Sequence, residues 1–134
     1  MKLRDVMEWL QGLTAKADNY YCGTLDSKKD KSLGVYQLKN TAGANIAIGG
    51  RANTKTLIKG ISLLVHWNHN SDETETFAQA LYNELEAVRN ATVGGKAVNY
   101  IELLQYEPVF VGTDENGVFE CVIECIFYYQ NESE

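Results

Sequence analysis

Hydrophobic positions change period midway along the chain. Ile61, Leu63, Val65 and Trp67 alternate with polar or smaller neighbours and predict a strand over residues 56–68 with those four side chains on one face. Immediately afterwards Phe77, Ala78, Leu81, Leu85 and Val88 recur at helical spacing. They predict a helix from about Asp72 to Arg89 with one apolar stripe. Asp72, Glu73 and Glu75 complement the positive end of its dipole and Arg89 the negative end. Leu3, Val6, Met7, Leu10, Leu13 and Ala17 share another helical face, which predicts a first helix over residues 2–17 ended by Asp18 and Asn19.

The remaining apolar runs read as strands. Residues 20–25 and 33–39 flank a polar connection of hairpin type at 26–32, and residues 44–48 form a shorter strand ended by Gly49 and Gly50. Gly60 marks a bend or bulge in the long strand. Gly94 and Gly95 introduce a strand over 97–106, and the lone Pro108 breaks it before Val109, Phe110 and Val111. Asn116-Gly117 is a type I′ hairpin signal that returns the chain into a strand over 118–129. On that strand Phe119, Cys121, Ile123, Cys125 and Phe127 share a face, with Glu120 and Glu124 on the other. The order is that of an α+β domain, with two helices on one face of a largely antiparallel or mixed sheet. One domain spans 1–134, with a frayed acidic tail.

Composition narrows the function classes. Twelve basic against 18 acidic residues leave a net charge of -6, which opposes the phosphate neutralisation that dominates nucleic-acid affinity. No specific nucleic-acid binding is expected. The first ten residues are charged and amphipathic and no later apolar run reaches spanning length, so the expected protein is soluble, made in a cytoplasm and free of membrane. Three cysteines do not suggest a disulfide framework. Cys121 and Cys125 on one strand stand about 13 Å apart, beyond the roughly 7 Å reach of a bridge, and read as reduced core thiols. Cys22 reads the same way, from an apolar-aromatic strand.

Candidate chemistry thins on inspection. Residues 49–56 approach a phosphate-binding loop, but Thr54 replaces its second glycine and a strand follows where a helix is required. Asp114, Asn116 and Gly117 match the middle of a calcium loop, yet Gly112 and Ile123 occupy its two strongest ligand positions. His66 and His69 have odd spacing on a strand and no third ligand, so no metal site is expected. No cofactor and no catalytic residue emerges, and a Cys22–His66 nucleophilic pair lacks an orienting group. Surfaces offer more. Lys28, Lys29 and Lys31 sit on a projecting loop, and the adjacent pairs Tyr20-Tyr21 and Tyr128-Tyr129 send one ring to each face of their strands. These seven residues are the candidate protein–protein interface.

Five blocks carry a family likeness: Tyr21-Cys-Gly-Thr-Leu25, Lys31-Ser-Leu-Gly-Val-Tyr-Gln-Leu38, Ile46-Ala-Ile-Gly-Gly50, Ser62-Leu-Leu-Val-His-Trp-Asn68 and Val111-Gly-Thr-Asp-Glu-Asn-Gly-Val118. In this order the chain resembles minor capsid proteins of tailed phages and prophages of Gram-positive bacteria. Its helix–sheet–helix–hairpin order is similar to that of tail terminator proteins of long-tailed phages. The resemblance implies a non-enzymatic virion protein at the head–tail junction, a homo-oligomeric ring and in particular a hexamer, with the tail tube protein and the head–tail connector as partners. Two rivals remain: a small cytosolic ligand-binding α+β domain, which needs a concave apolar pocket, and a Cys22-dependent hydrolase, which needs a hyper-reactive thiol.

Overall fold

A computed structural model describes residues 1–38 and 55–131. The described elements are α1 (Leu3–Leu10), β1 (Asn19–Cys22), β2 (Ser32–Gln37), β3 (Thr56–His66), α2 (Ser71–Glu86), β4 (Arg89–Val93), β5 (Lys96–Leu103), β6 (Val109–Thr113) and β7 (Phe119–Gln130). The strands form one sheet in the order β1-β2-β3-β7-β5-β4, with β6 paired to β7. Every pairing is antiparallel except β1 with β2. The fold is α+β. The expected strand at 44–48, the phosphate-loop match apart from residues 55 and 56, and the end of the acidic tail lie outside the described residues.

Two long strands make the spine. β3 and β7 pair without a break from Thr56↔Gln130 to His66↔Glu120. Alternation then puts Leu57, Ile61, Leu63 and Val65 on the same face as Cys121, Ile123, Cys125, Phe127 and Tyr129, all buried. Both helices cover this face. α2 supplies Phe77, Ala78, Leu81 and Leu85 and α1 supplies Val6 and Leu10 to one continuous core. Trp67 stacks on Phe77 with centroids 3.9 Å apart, and Trp9 meets Phe127 edge-on at 5.7 Å, so each helix is keyed to the sheet by an aromatic pair. α1 contacts both β2 and β4, which lie toward opposite ends of the strand order, so the sheet curls around it.

Several boundaries differ from the sequence expectation for identifiable reasons. Asn70 caps α2 through its side-chain oxygen, accepting from the Glu73 amide at 3.1 Å, one residue ahead of the expected start. α1 ends at Leu10 instead of 17, because Gly12 and the residues after it leave the helical path. Glu84 of α2 holds that exit segment by accepting from the Thr14 and Ala15 amides at 2.8 and 2.9 Å. β1 and β2 are parallel where a hairpin was expected. Lys31 adopts a left-handed φ of 53°, its carbonyl accepts from Asp18 and Asn19, and its amide donates to the Trp67 carbonyl, so the loop folds back beside β1's start. Gly60 pairs with Ile126 in register, without the expected bulge; the bulges fall between Val98 and Tyr100 and between Phe110 and Gly112. The turn at 114–118 is not type I′. Only Gly117 has a positive φ, 81°, while Asp114 and Val118 close a three-residue loop.

Candidate functional site

The outer edge of β7 is covered in two pieces. β5 pairs with residues 125–129 and β6 with residues 119–122, while residues 104–108 bulge away between them. Glu124 clamps the excursion: its carbonyl accepts from the Leu104 amide at 3.0 Å and its carboxylate from Gln105 Nε2 at 2.9 Å. From the other side the Tyr82 hydroxyl of α2 donates to the Gln105 carbonyl. Anchored at Gln105, the segment presents Leu104 and Tyr106 outward, and Tyr106 is fully exposed. Val109, Phe110 and Val111 of β6 follow at 41–51 % exposure. Among the described residues β6 has only β7 as a strand partner, so its other edge carries unpaired backbone groups flanked by apolar side chains.

Beside this edge lies an open cleft of about 530 Å³, lined by Tyr82, Glu86, Arg89, Tyr100 and Tyr106 among others. Arg89 also donates to the Glu86 carbonyl, so it does serve the negative end of α2 although it belongs to β4. Tyr100 stacks on Tyr128 with centroids 4.6 Å apart. The Tyr128 hydroxyl donates to Glu102 at 2.7 Å, and this bond, with burial, holds the phenol well above its ordinary pKa.

The residues singled out in the sequence fall into two groups. Lys28, Lys29 and Lys31 are exposed on a loop shaped by Asp26, whose carboxylate accepts from the Lys28 amide and whose carbonyl accepts from the Lys29 amide. Tyr20 and Tyr21 lie half-buried at the same end of the sheet, next to Leu33 and Gly34. Tyr128 pairs with Ile58 at the far end, eight β3 residues or roughly 27 Å from His66. Its neighbour Tyr129 turns into the core at 6 % exposure. The apolar edge was missed, although Val-Phe-Val directly after the lone proline carries its signal. Cys22 is exposed instead of packed, whereas burial pushes the Cys121 thiol up to about 11. The Cys22–His66 pair does not form, because both His66 ring nitrogens are engaged by Glu120 and the Ser27 carbonyl. His69 bonds the Gly117 carbonyl through its Nδ1.

A small α+β domain with a long spine, flanked near one end by an apolar edge on one side and a polar loop on the other, presents surfaces suited to contact with other proteins. The family model described as "Bacteriophage tail terminator protein" matches residues 2–131, and the chain belongs to that family, one of phage structural proteins. No curated protein matches the chain. Among solved structures, one known only as "Np_888769.1" is 18 % identical over 98 % of this chain and 92 % of its own, with a TM-score of 0.45. No helix among the described residues is long and apolar enough to cross a membrane.

Proposed function

We propose that the chain forms a homo-oligomeric ring, a hexamer, that caps the tail tube at the head–tail junction of the virion and joins it to the head connector. Family membership supports the setting, and the open apolar edge at Val109, Phe110 and Val111 is the observation that carries the ring. Among the described residues the sheet ends in β1 on one side and in β4 and the open edge of β6 on the other, so it offers unlike edges. Joining unlike edges of successive protomers is a heterologous contact, which closes when the rotation allows. The occupant of the β6 edge in this reading is a second copy of the chain. Lys28, Lys29 and Lys31, on a loop at the far end of the sheet from Tyr128, then face the tube or connector.

The rival ligand-binding reading has the cleft beside Tyr100 in its favour, but Glu86 and Arg89 in its wall depart from the apolar pocket that reading requires. Light scattering of the purified protein separates the two. A ring predicts a discrete oligomer that Val111→Asp converts to folded monomers; a wild-type monomer at high micromolar concentration would refute it. In the phage, deletion should give DNA-filled heads without tails and tubes of uncontrolled length. Reversing Lys28, Lys29 and Lys31 to Glu should weaken attachment to tube or connector while the domain stays folded, since exposed charges contribute only about 0–1 kcal/mol each. Normal tail length and head joining in electron micrographs of the deletion would end the terminator reading.

A further inference from the structure

Three chain segments that are remote in sequence converge beneath the lysine loop. His66 ends β3 opposite Glu120 of β7, on the sheet face away from the helices, and is fully buried. Asp114 approaches from the loop between β6 and β7. His66 Nδ1 lies 2.8 Å from Glu120 Oε2 and 3.8 Å from Asp114 Oδ2, and the three atoms all fall within 4.8 Å of one another. Sequence spacing pairs His66 with His69; folding pairs it with two carboxylates 48 and 54 residues further along.

The hydrogen bonds around the cluster fix its chemistry. His66 Nε2 stands 3.0 Å from the Ser27 carbonyl, an oxygen that can only accept, so Nε2 carries a proton and Nδ1 is the nitrogen that faces the acids. Asp114 Oδ1 is occupied by the amides of Asn116 and Val118 at 2.9 and 3.0 Å. That leaves Oδ2 aimed at the imidazole, a buried atom with no hydrogen-bond donor among the described residues. A ring nitrogen facing two carboxylates calls for positive charge between them, carried by a proton or by a metal ion. One proton neutralises half of the two negative charges; one divalent ion neutralises both.

We propose that His66 Nδ1, Asp114 Oδ2 and Glu120 Oε2 bind a divalent transition-metal ion of the zinc class, with water in the fourth position. Imidazole with two carboxylate oxygens suits such an ion better than calcium or magnesium, which take all-oxygen shells. Ligand atoms of a tetrahedral zinc stand ~3.3 Å apart, so binding draws Glu120 back from His66 and Asp114 in toward it, each by about half an ångström, and closes the wider gap between the two carboxylate oxygens, which lie within 4.8 Å of each other. The outer partners that orient such ligands are already in place: the Ser27 carbonyl on the ring, and the Asn116 and Val118 amides on Asp114. Binding ties the lysine loop, through Ser27, to the end of β3 and to the loop at 114–118. The site does not depend on the ring proposal.

The test uses the full chain stripped with a chelator and titrated with zinc chloride, followed by calorimetry and thermal melting. One saturable site per chain and a raised melting temperature are expected, with calcium chloride leaving the melt unchanged. Asp114→Asn and Glu120→Gln preserve shape and, with folding checked by circular dichroism, should each weaken zinc binding at least about tenfold, since loss of an outer partner alone costs 10- to 100-fold. His69→Ala should bind like the parent. Cobalt(II) should give visible bands of a four-coordinate ion that both isosteric variants lose. No saturable zinc binding by the parent, or binding by Asp114→Asn and Glu120→Gln equal to the parent's, would overturn the proposal and leave the cluster a proton-bridged ion pair.

Discussion

Replacing Gly94 by Ala tests the curl that brings the β4–β5 turn onto α1. Gly94 and Gly95 form the two-residue turn between Val93 and Lys96, with φ values of 57° and 79°. Either alanine pays for a left-handed conformation, about 1–2 kcal/mol. Only at Gly94 is there a second effect: an added Cβ would stand 2.5 Å from Asp5 Cγ and 2.7 Å from Asp5 Cβ, whereas nothing lies within 4 Å of one at Gly95. Asp5 cannot swing aside freely, because its carboxylate caps α1 by accepting from the Lys2 amide at 2.8 Å. Displacing it forfeits a cap worth about 0.5–2 kcal/mol. Gly94→Ala should therefore cost about 1.5–4 kcal/mol and Gly95→Ala about 1–2, measured by urea unfolding with unchanged slope. In an Asp5→Gly background every clashing atom is gone, so Gly94→Ala should fall to the Gly95→Ala value, a coupling of about 0.5–2 kcal/mol. Equal costs for the two glycines in the parent, with no coupling to Asp5, would refute the contact between the turn and the first helix.

Raising pH should destabilise the fold: the Cys121 thiol titrates at 9.0 when unfolded and at about 11 when folded, so the unfolded chain loses its proton first. The stabilising difference is complete below 9.0, falls away as pH rises to about 11, and Tyr82 and Tyr128, also raised, act in the same direction. Melting temperature against pH reads this out, and a flat profile from 8 to 11 would contradict it. Native alkylation at neutral pH should label Cys22 alone, since it is exposed and the other two are buried; mass spectrometry showing Cys125 labelled at a similar rate would reject the strand packing. Gly117→Val should cost about 1–3 kcal/mol through its φ of 81° alone, since the nearest atom to an added Cβ is His69 Nδ1 at 3.5 Å. Neutral unfolding of that variant would refute the three-residue loop.

The parts of the fold read correctly from sequence are those in which one periodicity runs for ten residues or more. β3, α2 and β7 qualify, and most of the core face of each follows from its period, although Leu57, Tyr82 and Tyr129 also pack there and Val88 lies past the end of α2. β4 was lost to the helix end because its burial is almost all on the outside, with only Val93 fully inside, so no alternation marks it. The parallel pairing of β1 with β2 depends on Lys31 accepting a left-handed backbone for the sake of a bond to Trp67, a tertiary gain with no local signature. The apolar edge was legible in composition but not in consequence, because Val109 to Val111 looks like core until its missing neighbour strand is known. The cluster around His66 was invisible for a different reason. Glu120 arrives by register, which eleven residue pairs between β3 and β7 set at once, and Asp114 arrives from the loop that joins β6 to β7.

An open β edge with three apolar side chains also governs how the chain behaves before it finds a partner. Such an edge is a template for any extended polypeptide, including a nascent or partly unfolded copy of itself. Its protection is colloidal: at a net charge of -6 protomers repel over a Debye length of about 8 Å in physiological salt, far enough to slow random encounters and too short to prevent a fitted one. Salt and acid should then act as triggers. Concentrated salt or a pH near the isoelectric value of 4.9 removes the repulsion while leaving the sticky edge intact, so the first symptom should be turbidity, well before the domain unfolds.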